Sequence, residues 1–409
     1  MNLLIVGAGH AGSELAVAAR NGGWTGGITL LGEETALPYH RPPLSKAYLT
    51  GKSDAEAIAL RPRSVYESAN IDLRFGARME AIDRVGHRIS LADGSSLPYD
   101  KLALCTGGRP RPLACAGLPG IGAANLLYLR TMGDADAIRA RLREGSRLVV
   151  IGGGYVGLEV AASARALGAH VTLLEAQPRV LARVAGAEVS AFYEAVHREA
   201  GVDLRTGVMV EGVEMAGDEI ASVLCAGGER LPADLVVAGL GMLVNVEAAR
   251  AAGLAQEGGI PVDEFSCTVD PDIVAAGDCT LQQSAHYRRE LRLESVPNAL
   301  EQARVAAAWL CGKPKPPTAI PWFWSDQYDL KLQMAGLSQG HERCILRGDP
   351  AKRSFSAFYL HGDRLLAVDA VNRPAEFMLA KKLLGQGCIA HSERLSDETV
   401  PLKELLTSA

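Results

Sequence analysis

Two stretches of this 409-residue chain repeat one pattern. In the first, Leu3-Leu-Ile-Val6 runs into Gly7-Ala-Gly-His-Ala-Gly12, then an alanine-rich segment Ser13 to Arg20, then an apolar run Ile28 to Leu31 that meets an acid at Glu33. In the second, Leu148 to Ile151 meets glycines at 152, 154 and 157, a helical segment follows, and Val171-Thr-Leu-Leu-Glu175 again closes on an acid. Short continuous apolar runs mark parallel strands buried on both faces. The first glycine permits a tight turn, the second lets backbone approach a pyrophosphate, and the third lets helix pack on strand, with the helix N-terminus facing the phosphates. A lone GxGxxG is weak, but strand, glycines, helix, strand and acid in that order specify a dinucleotide-binding unit. A chain with two such units must hold two dinucleotides.

The remaining composition narrows the class. At 409 residues the chain exceeds one hydrophobic core, and 48% apolar with 22% charged residues is ordinary for a globular enzyme. A net charge of -5 argues against a nucleic-acid partner. Apolar runs fall far short of the roughly 20 residues of a membrane span, and no basic segment precedes the first strand, so a cytoplasmic protein with no membrane partner is expected. The cysteines at 105, 115, 225, 267, 279, 311, 344 and 388 contain no Cys-x-x-Cys or Cys-x4-Cys pair. By spacing they form neither a zinc site nor a redox disulfide, and no metal is expected.

Between the two motifs lies Leu37-Pro-Tyr-His-Arg-Pro-Pro-Leu-Ser-Lys46, a proline-stiffened loop whose Arg41 and Lys46 suit contacts with phosphate, although a solvated loop reads the same way. Residues 70 to 106 read as short strands with a turn at Asp93-Gly94, closing on Leu102-Ala-Leu-Cys-Thr-Gly-Gly-Arg-Pro110. A Pro/Gly-rich linker follows, and a helix begins near Leu129 to Asp136. Leu231 to Gly241 ends in a glycine turn much as Leu102 to Gly108 does, which suggests two related domains, one inserted into the other. Gly277-Asp278 ends a further strand, and the helix opening at Glu294-Ser-Val-Pro-Asn could aim backbone N–H groups at a cofactor carbonyl. After Lys313-Pro-Lys-Pro-Pro317 the texture changes: an aromatic cluster at 321 to 328, strands at 330 to 337, 354 to 360 and 365 to 371, and an amphipathic helix at 375 to 384. The expected organisation is a split FAD-binding domain (1–110 and 240–317), an inserted NAD-binding domain (111–239) and an α+β C-terminal domain (318–409).

Two nucleotide folds suggest a resident flavin and a visiting nicotinamide, with hydride passing between the cofactors while protein supplies orientation and excludes water. The residues carry a resemblance. Gly7-Ala-Gly-His-Ala-Gly12, Arg41-Pro-Pro-Leu-Ser-Lys46, Thr106-Gly-Gly-Arg-Pro110, Gly152-Gly-Gly-Tyr-Val-Gly-Leu-Glu159, Gly277-Asp278, Glu294-Ser-Val-Pro-Asn-Ala-Leu-Glu-Gln-Ala303, Phe323-Trp-Ser-Asp-Gln-Tyr328 and Val371-Asn-Arg-Pro374 together resemble the FAD-dependent, NADH-using ferredoxin reductases of bacterial cytochrome P450 and dioxygenase systems. The resemblance spans essentially the whole chain. It implies an α/β fold with two Rossmann-like nucleotide-binding domains, similar to glutathione reductase, plus the α+β domain. FAD would contact Gly7, Gly9, Ala11 and Gly12, Glu33 at the adenosine ribose, Arg41, Lys46, Met79, Thr106, Gly107, Arg130, Gly277, Asp278 and Val296. NADH would lie along Gly152, Gly154 and Gly157 with Glu175 on its ribose, and Glu159 and Trp324 are the candidate catalytic residues near the flavin–nicotinamide stack.

A carboxylate at the end of the second strand repels a 2′-phosphate, so Glu175 predicts NADH over NADPH, with Arg179 and Arg183 close enough in sequence to weaken the bias. The implied acceptor is a [2Fe-2S] ferredoxin serving a cytochrome P450, docked on a basic patch to which Arg61, Arg63 and Arg304 are candidate contributors. The same motifs suit a rubredoxin reductase or a ring-hydroxylating dioxygenase reductase, and more distantly an NADH oxidase or a flavoprotein of the apoptosis-inducing-factor type. A monomer or weak dimer is expected.

Overall fold

The structure, a computed structural model, describes residues 1–120, 122–284, 287–315, 317, 319–390 and 392–408. Pro316 of the expected linker, and Thr318 and Ala409 at the ends of the expected C-terminal domain, lie outside the described residues. The chain separates into two compact units, one formed by 1–40, 55–109 and 242–319, the other by 41–54, 110–241 and 320–409.

The first unit is built on a parallel sheet ordered Ile273–Ala275, Lys101–Leu104, Asn2–Val6, Gly27–Gly32, Ile71–Phe75. Alternation along the central strand divides its side chains between two cores. Leu3 and Ile5 pack with Leu15, Ala19 and Ala303, while Leu4 and Val6 pack with Leu102, Leu104 and Ile260. The helix His10–Gly22 returns from the glycine loop and lies against the helix Val296–Leu310, the small residues Ala16, Ala19, Ala303 and Ala306 permitting close approach. The turn expected at Asp93-Gly94 joins Arg88–Leu91 to Ser96–Pro98.

The second unit contains a parallel sheet with the same order of parts: Leu126–Leu127, Leu235–Ala238, Arg147–Ile151, His170–Glu175, Asp203–Thr206. Leu235–Ala238 flanks the glycine-loop strand on the side that Lys101–Leu104 takes in the first unit, which accounts for the likeness between Leu231–Gly241 and Leu102–Gly108. Leu148 and Val150 face one core, Val149 and Ile151 the other.

The same unit carries an antiparallel sheet ordered Trp322–Gln327, Leu330–Gly336, Arg364–Val371, Ser354–His361, Arg343–Asp349, with the helix Pro374–Leu384 on one face. Its other face shares a core with the parallel-sheet part, Leu332, Phe355 and Tyr359 joining Leu158, Leu173 and Tyr193. The aromatic cluster at 321 to 328 is thus an edge strand, and the strand Arg343–Asp349 has no alternation in sequence to announce it. The fold is α/β with two Rossmann-like sheets and an α+β C-terminal part. Among the described residues no helix is long and apolar enough to cross a membrane.

Candidate functional site

The two glycine loops have one geometry. Gly7 and Gly152 both sit at φ of +109°, where an L side chain is strained, and a Cβ would stand 2.1 Å from the Cys105 carbonyl oxygen in one case and 2.4 Å from that of Gly239 in the other. Gly12 and Gly157 are closed by packing: a Cβ would lie 1.9 Å from the Gly7 oxygen and 2.0 Å from the Gly152 oxygen. Gly9 and Gly154 differ. Each is the N-cap of the following helix, no side chain caps the helix N–H groups, and nothing stands within 4 Å of a Cβ position. An open N-terminus beside side-chain-free backbone fits a pyrophosphate, so both loops pass the test for a dinucleotide.

The acids that follow are unlike. The Glu175 carboxylate accepts the Gly153 N–H at 2.6 Å through Oε2 and the Gln177 N–H at 2.7 Å through Oε1. It is therefore held across the mouth of its loop. Arg179 is committed to the Ala182 and Ala185 carbonyls and to Ser190, while Arg183 is exposed above Gly241. In the first unit the bond from Gly7 N to Leu31 O matches that from Gly152 N to Leu174 O, which aligns Gly32, not Glu33, with Glu175. A Cβ at Gly32 would meet the Ala8 methyl at 2.8 Å, so the acid stands one residue later, exposed, with Arg78 at 3.9 Å.

Other predicted residues of the first unit gather on the same sheet end. Thr106 Oγ1 donates to the Asn245 carbonyl at 2.6 Å, and Gly107 takes a positive φ. Gly277, at φ +91°, approaches Ala11, and its N–H donates to the buried Gln302 Oε1 at 2.8 Å, which fixes the turn that presents Asp278. Val296 begins a helix capped by Ser295. Met79 starts its strand half-buried. Arg61 and Arg304 both reach Glu14, at 2.5 and 2.7 Å. Burial would raise the Glu14 carboxyl, but the bonds from the two guanidinium groups outweigh it and hold the carboxyl below its usual range. Arg63 is exposed at the start of the helix Arg63–Ser68.

Arg41, Lys46, Arg130, Glu159 and Trp324 belong to the second unit. Arg41 donates to the Arg130 carbonyl at 2.5 Å, and the Arg130 N–H donates to Asp134, whose carboxylate is half of a capping box with Thr131. Lys46 forms an ion pair with Glu159 at 2.6 Å. Glu159, one turn into the helix Tyr155–Ala166, also accepts from Ser45 Oγ at 2.5 Å and Ser325 Oγ at 2.6 Å. The 3₁₀ turn Pro42–Ser45 brings Ser45 and Lys46 to one carboxylate oxygen, and the prolines make that turn stiff. Trp324, half-buried, neighbours Ser325 on the strand and stacks at 5.6 Å on Trp322; Phe323 packs at 4.6 Å on Tyr155, the first residue after Gly154 in the helix. Glu159 and Trp324 are thus carried by adjacent elements. The sequence singled out Glu159 and Lys46 but not the roles of Ser45, Ser325, Gln327 or His197; the period-two spacing of Ser325 and Gln327 was the available signal.

Comparison with known proteins agrees with this geometry. Residues 1–303 match the pyridine nucleotide-disulphide oxidoreductase family, and residues 322–406 match a reductase C-terminal domain. The chain is 53% identical to putidaredoxin reductase of Pseudomonas putida, covering 100% of this chain and 97% of that protein. It is 43% identical to the ferredoxin reductase subunit of a 5,5'-dehydrodivanillate O-demethylase from a Sphingobium species, over 98% of this chain and 97% of that one. Among solved structures it is similar to the covalent putidaredoxin reductase–putidaredoxin complex, with a TM-score of 0.95, 53% identity and coverage of 98% and 97% of the two chains.

Proposed function

Since the chain belongs to the pyridine nucleotide-disulphide oxidoreductase family and carries its reductase C-terminal domain, we propose that it is an NADH-dependent ferredoxin reductase that passes electrons to a [2Fe-2S] ferredoxin serving a cytochrome P450. The observation that carries the reading is the pair of glycine loops with uncapped helix N-termini at Gly9 and Gly154. The cofactors are FAD and NADH, which supply hydride transfer and the division of an electron pair into single electrons.

The chain's residues do the rest. Gly7, Gly9, Ala11, Gly12, Glu33, Met79, Thr106, Gly107, Gly277, Asp278 and Val296 are proposed to bind FAD, and Gly152, Gly154, Gly157 and Glu175 to bind NADH. Arg41, Lys46 and Arg130 are assigned to FAD by the family resemblance alone. Glu175, already fixed by two backbone N–H groups, presents a carboxylate to the ribose hydroxyls and repels a 2′-phosphate. Glu159 and Lys46 form a buried pair with no net charge, so the polar orientation they impose on a bound nicotinamide adds no uncompensated charge. Trp324 supplies a flat apolar neighbour that excludes water. The FAD-binding parts are proposed as 1–110 and 240–317, the NAD-binding part as 111–239 and the C-terminal domain as 318–409. A cytoplasmic location belongs to the same proposal.

The test is NADH-dependent reduction of a panel of purified [2Fe-2S] ferredoxins, read through cytochrome c. Turnover that needs one of the ferredoxins and falls as salt rises is expected, since the acceptor is proposed to dock on a face that includes Arg61, Arg63 and Arg304. Cytochrome c reduction equally fast without any ferredoxin would overturn the reading.

A further inference from the structure

The segment Trp322–Gln327 places Ser325 and Gln327 on one face of its strand, and both are buried, at 0% and 2% exposure. Each makes a side-chain bond that leads away from Glu159. Ser325 Oγ lies 2.6 Å from Glu159 Oε1, Gln327 Nε2 lies 3.1 Å from Ser325 Oγ, and Gln327 Oε1 lies 2.8 Å from Nε2 of His197. His197, fully buried near the end of the helix Ala187–Glu199, meets the Tyr328 hydroxyl at 3.1 Å through Nδ1. Tyr328, in the turn after the strand, is exposed to solvent.

The direction of every bond follows from the inner end. An ionised Glu159, paired with Lys46, only accepts, so Ser325 donates. The Ser325 oxygen then accepts a hydrogen bond from the Gln327 amide nitrogen, which leaves Gln327 Oε1 facing His197 as an acceptor. His197 must carry its proton on Nε2. Burial pushes its pKa down to about 4, so the ring is neutral at ordinary pH and Nδ1 is left to accept from Tyr328. Four donors therefore point one way, from the surface to a single carboxylate oxygen. The other oxygen is taken by Ser45 at 2.5 Å and Lys46 at 2.6 Å.

We propose that Ser325, Gln327 and His197 are positioning residues for Glu159, with the Tyr328 hydroxyl as the outer end of the array. The array fixes the rotation of the carboxylate, because each bond in an aligned chain polarises and strengthens the next. Three polar side chains buried for packing alone would cost more than apolar ones of the same volume, whereas a carboxylate that orients a nicotinamide must be held to a fraction of an ångström. The inference rests on the role given to Glu159 above.

Its test uses the FAD-loaded enzyme and two polar replacements of one residue. In His197→Gln the amide nitrogen reaches the place of Nε2 and keeps the donor to Gln327; in His197→Asn the shorter amide falls at the place of Nδ1 and loses it. Flavin reduction by NADH is followed by stopped flow, with the NADH KM, FAD content and thermal midpoint measured alongside. His197→Asn is expected to lower the limiting rate of flavin reduction about tenfold with KM unchanged, a loss equivalent to one hydrogen bond in a charged network. His197→Gln is expected to stay within about threefold of wild type, and Tyr328→Phe, a surface change, to fall about twofold, since it removes only the outermost donor. Equal rates in the Gln and Asn variants, or an Asn variant that loses thermal stability alone, would overturn the inference and leave the proposed function standing. A wild-type flavin that NADH does not reduce would instead sink the proposed function.

Discussion

Replacing Lys46 by Met isolates the energetics of the buried pair. The Glu159 side chain is 6% exposed and that of Lys46 is 19% exposed, at 2.6 Å separation. Removing one partner of a buried pair strands the other and typically costs about 3–5 kcal/mol. Here Glu159 keeps the two serine donors at 2.5 and 2.6 Å, so the lower end, about 3 kcal/mol, applies. Glu159→Gln alone should cost about 1 kcal/mol, because a partly exposed ammonium can turn to water. The double variant Lys46→Met, Glu159→Gln has no charge left to strand and should return to within about 1 kcal/mol of wild type, a coupling of about 3 kcal/mol. Urea unfolding followed by tryptophan fluorescence reads this, since Trp322 and Trp324 stand in the same unit as the pair. A double variant no more stable than Lys46→Met would refute the reasoning, because it would mean that loss of a Lys46 contact elsewhere, not a stranded carboxylate, sets the cost.

Other consequences are as open to measurement. Glu175→Ala should lower kcat/KM for NADH at least tenfold and narrow the gap to NADPH, the loss of about one charged hydrogen bond; a wild-type preference for NADPH would sink the assignment. Gly154→Ala should fold with a thermal midpoint near wild type, because a Cβ there meets nothing within 4 Å, while its NADH KM rises about tenfold or more; Gly157→Ala, with a Cβ 2.0 Å from the Gly152 oxygen, should lose stability instead. Asp369 is fully buried, and burial pushes its pKa up to about 7 although Tyr359 donates to it at 2.7 Å. A carboxyl whose folded pKa is raised binds its proton more tightly in the native state, so its contribution falls as pH climbs from about 4 to about 7 and is level beyond. Asp369→Asn should remove that slope in a pH series of unfolding free energies, and an unchanged slope would show that the titrating group is another.

The glycine loops were readable in sequence because each position admits one residue type. Gly12 and Gly157 meet backbone of their own loop, and Gly7 and Gly152 take a positive φ against backbone distant in sequence, so the glycines themselves mark contacts whose partners lie elsewhere in the chain. Glu33 marks where such reading loses a residue: only the register of the sheet reveals that Gly32 holds the place of Glu175 and that the Ala8 methyl leaves no room for a side chain there. The aromatic cluster concealed its buried positions in a different way. Its tryptophans are half-buried, and the fully buried positions belong to Ser325 and Gln327, polar residues that a search for core or for stacking rings passes over.

Glu159 shows why the remainder was hidden. By pattern alone it is the acid two residues past the last glycine of a common motif, and only the family resemblance separates it from a solvent-facing helix residue. Its partners lie 114 positions before it, at Ser45, and 166 after it, at Ser325. A 3₁₀ turn and an edge strand supply them, and neither carries a motif for binding a carboxylate. The helix proposed to serve the pyrophosphate at Gly154 also presents Glu159 one turn later, so in that proposal phosphate and carboxylate are spaced by helix geometry alone. A substitution that shifts this helix along its axis must therefore disturb NADH affinity and flavin reduction together. One confined to Ser325, Gln327 or His197 should disturb the reduction rate and spare the affinity, and that separation distinguishes a residue that positions Glu159 from one that only supports the helix.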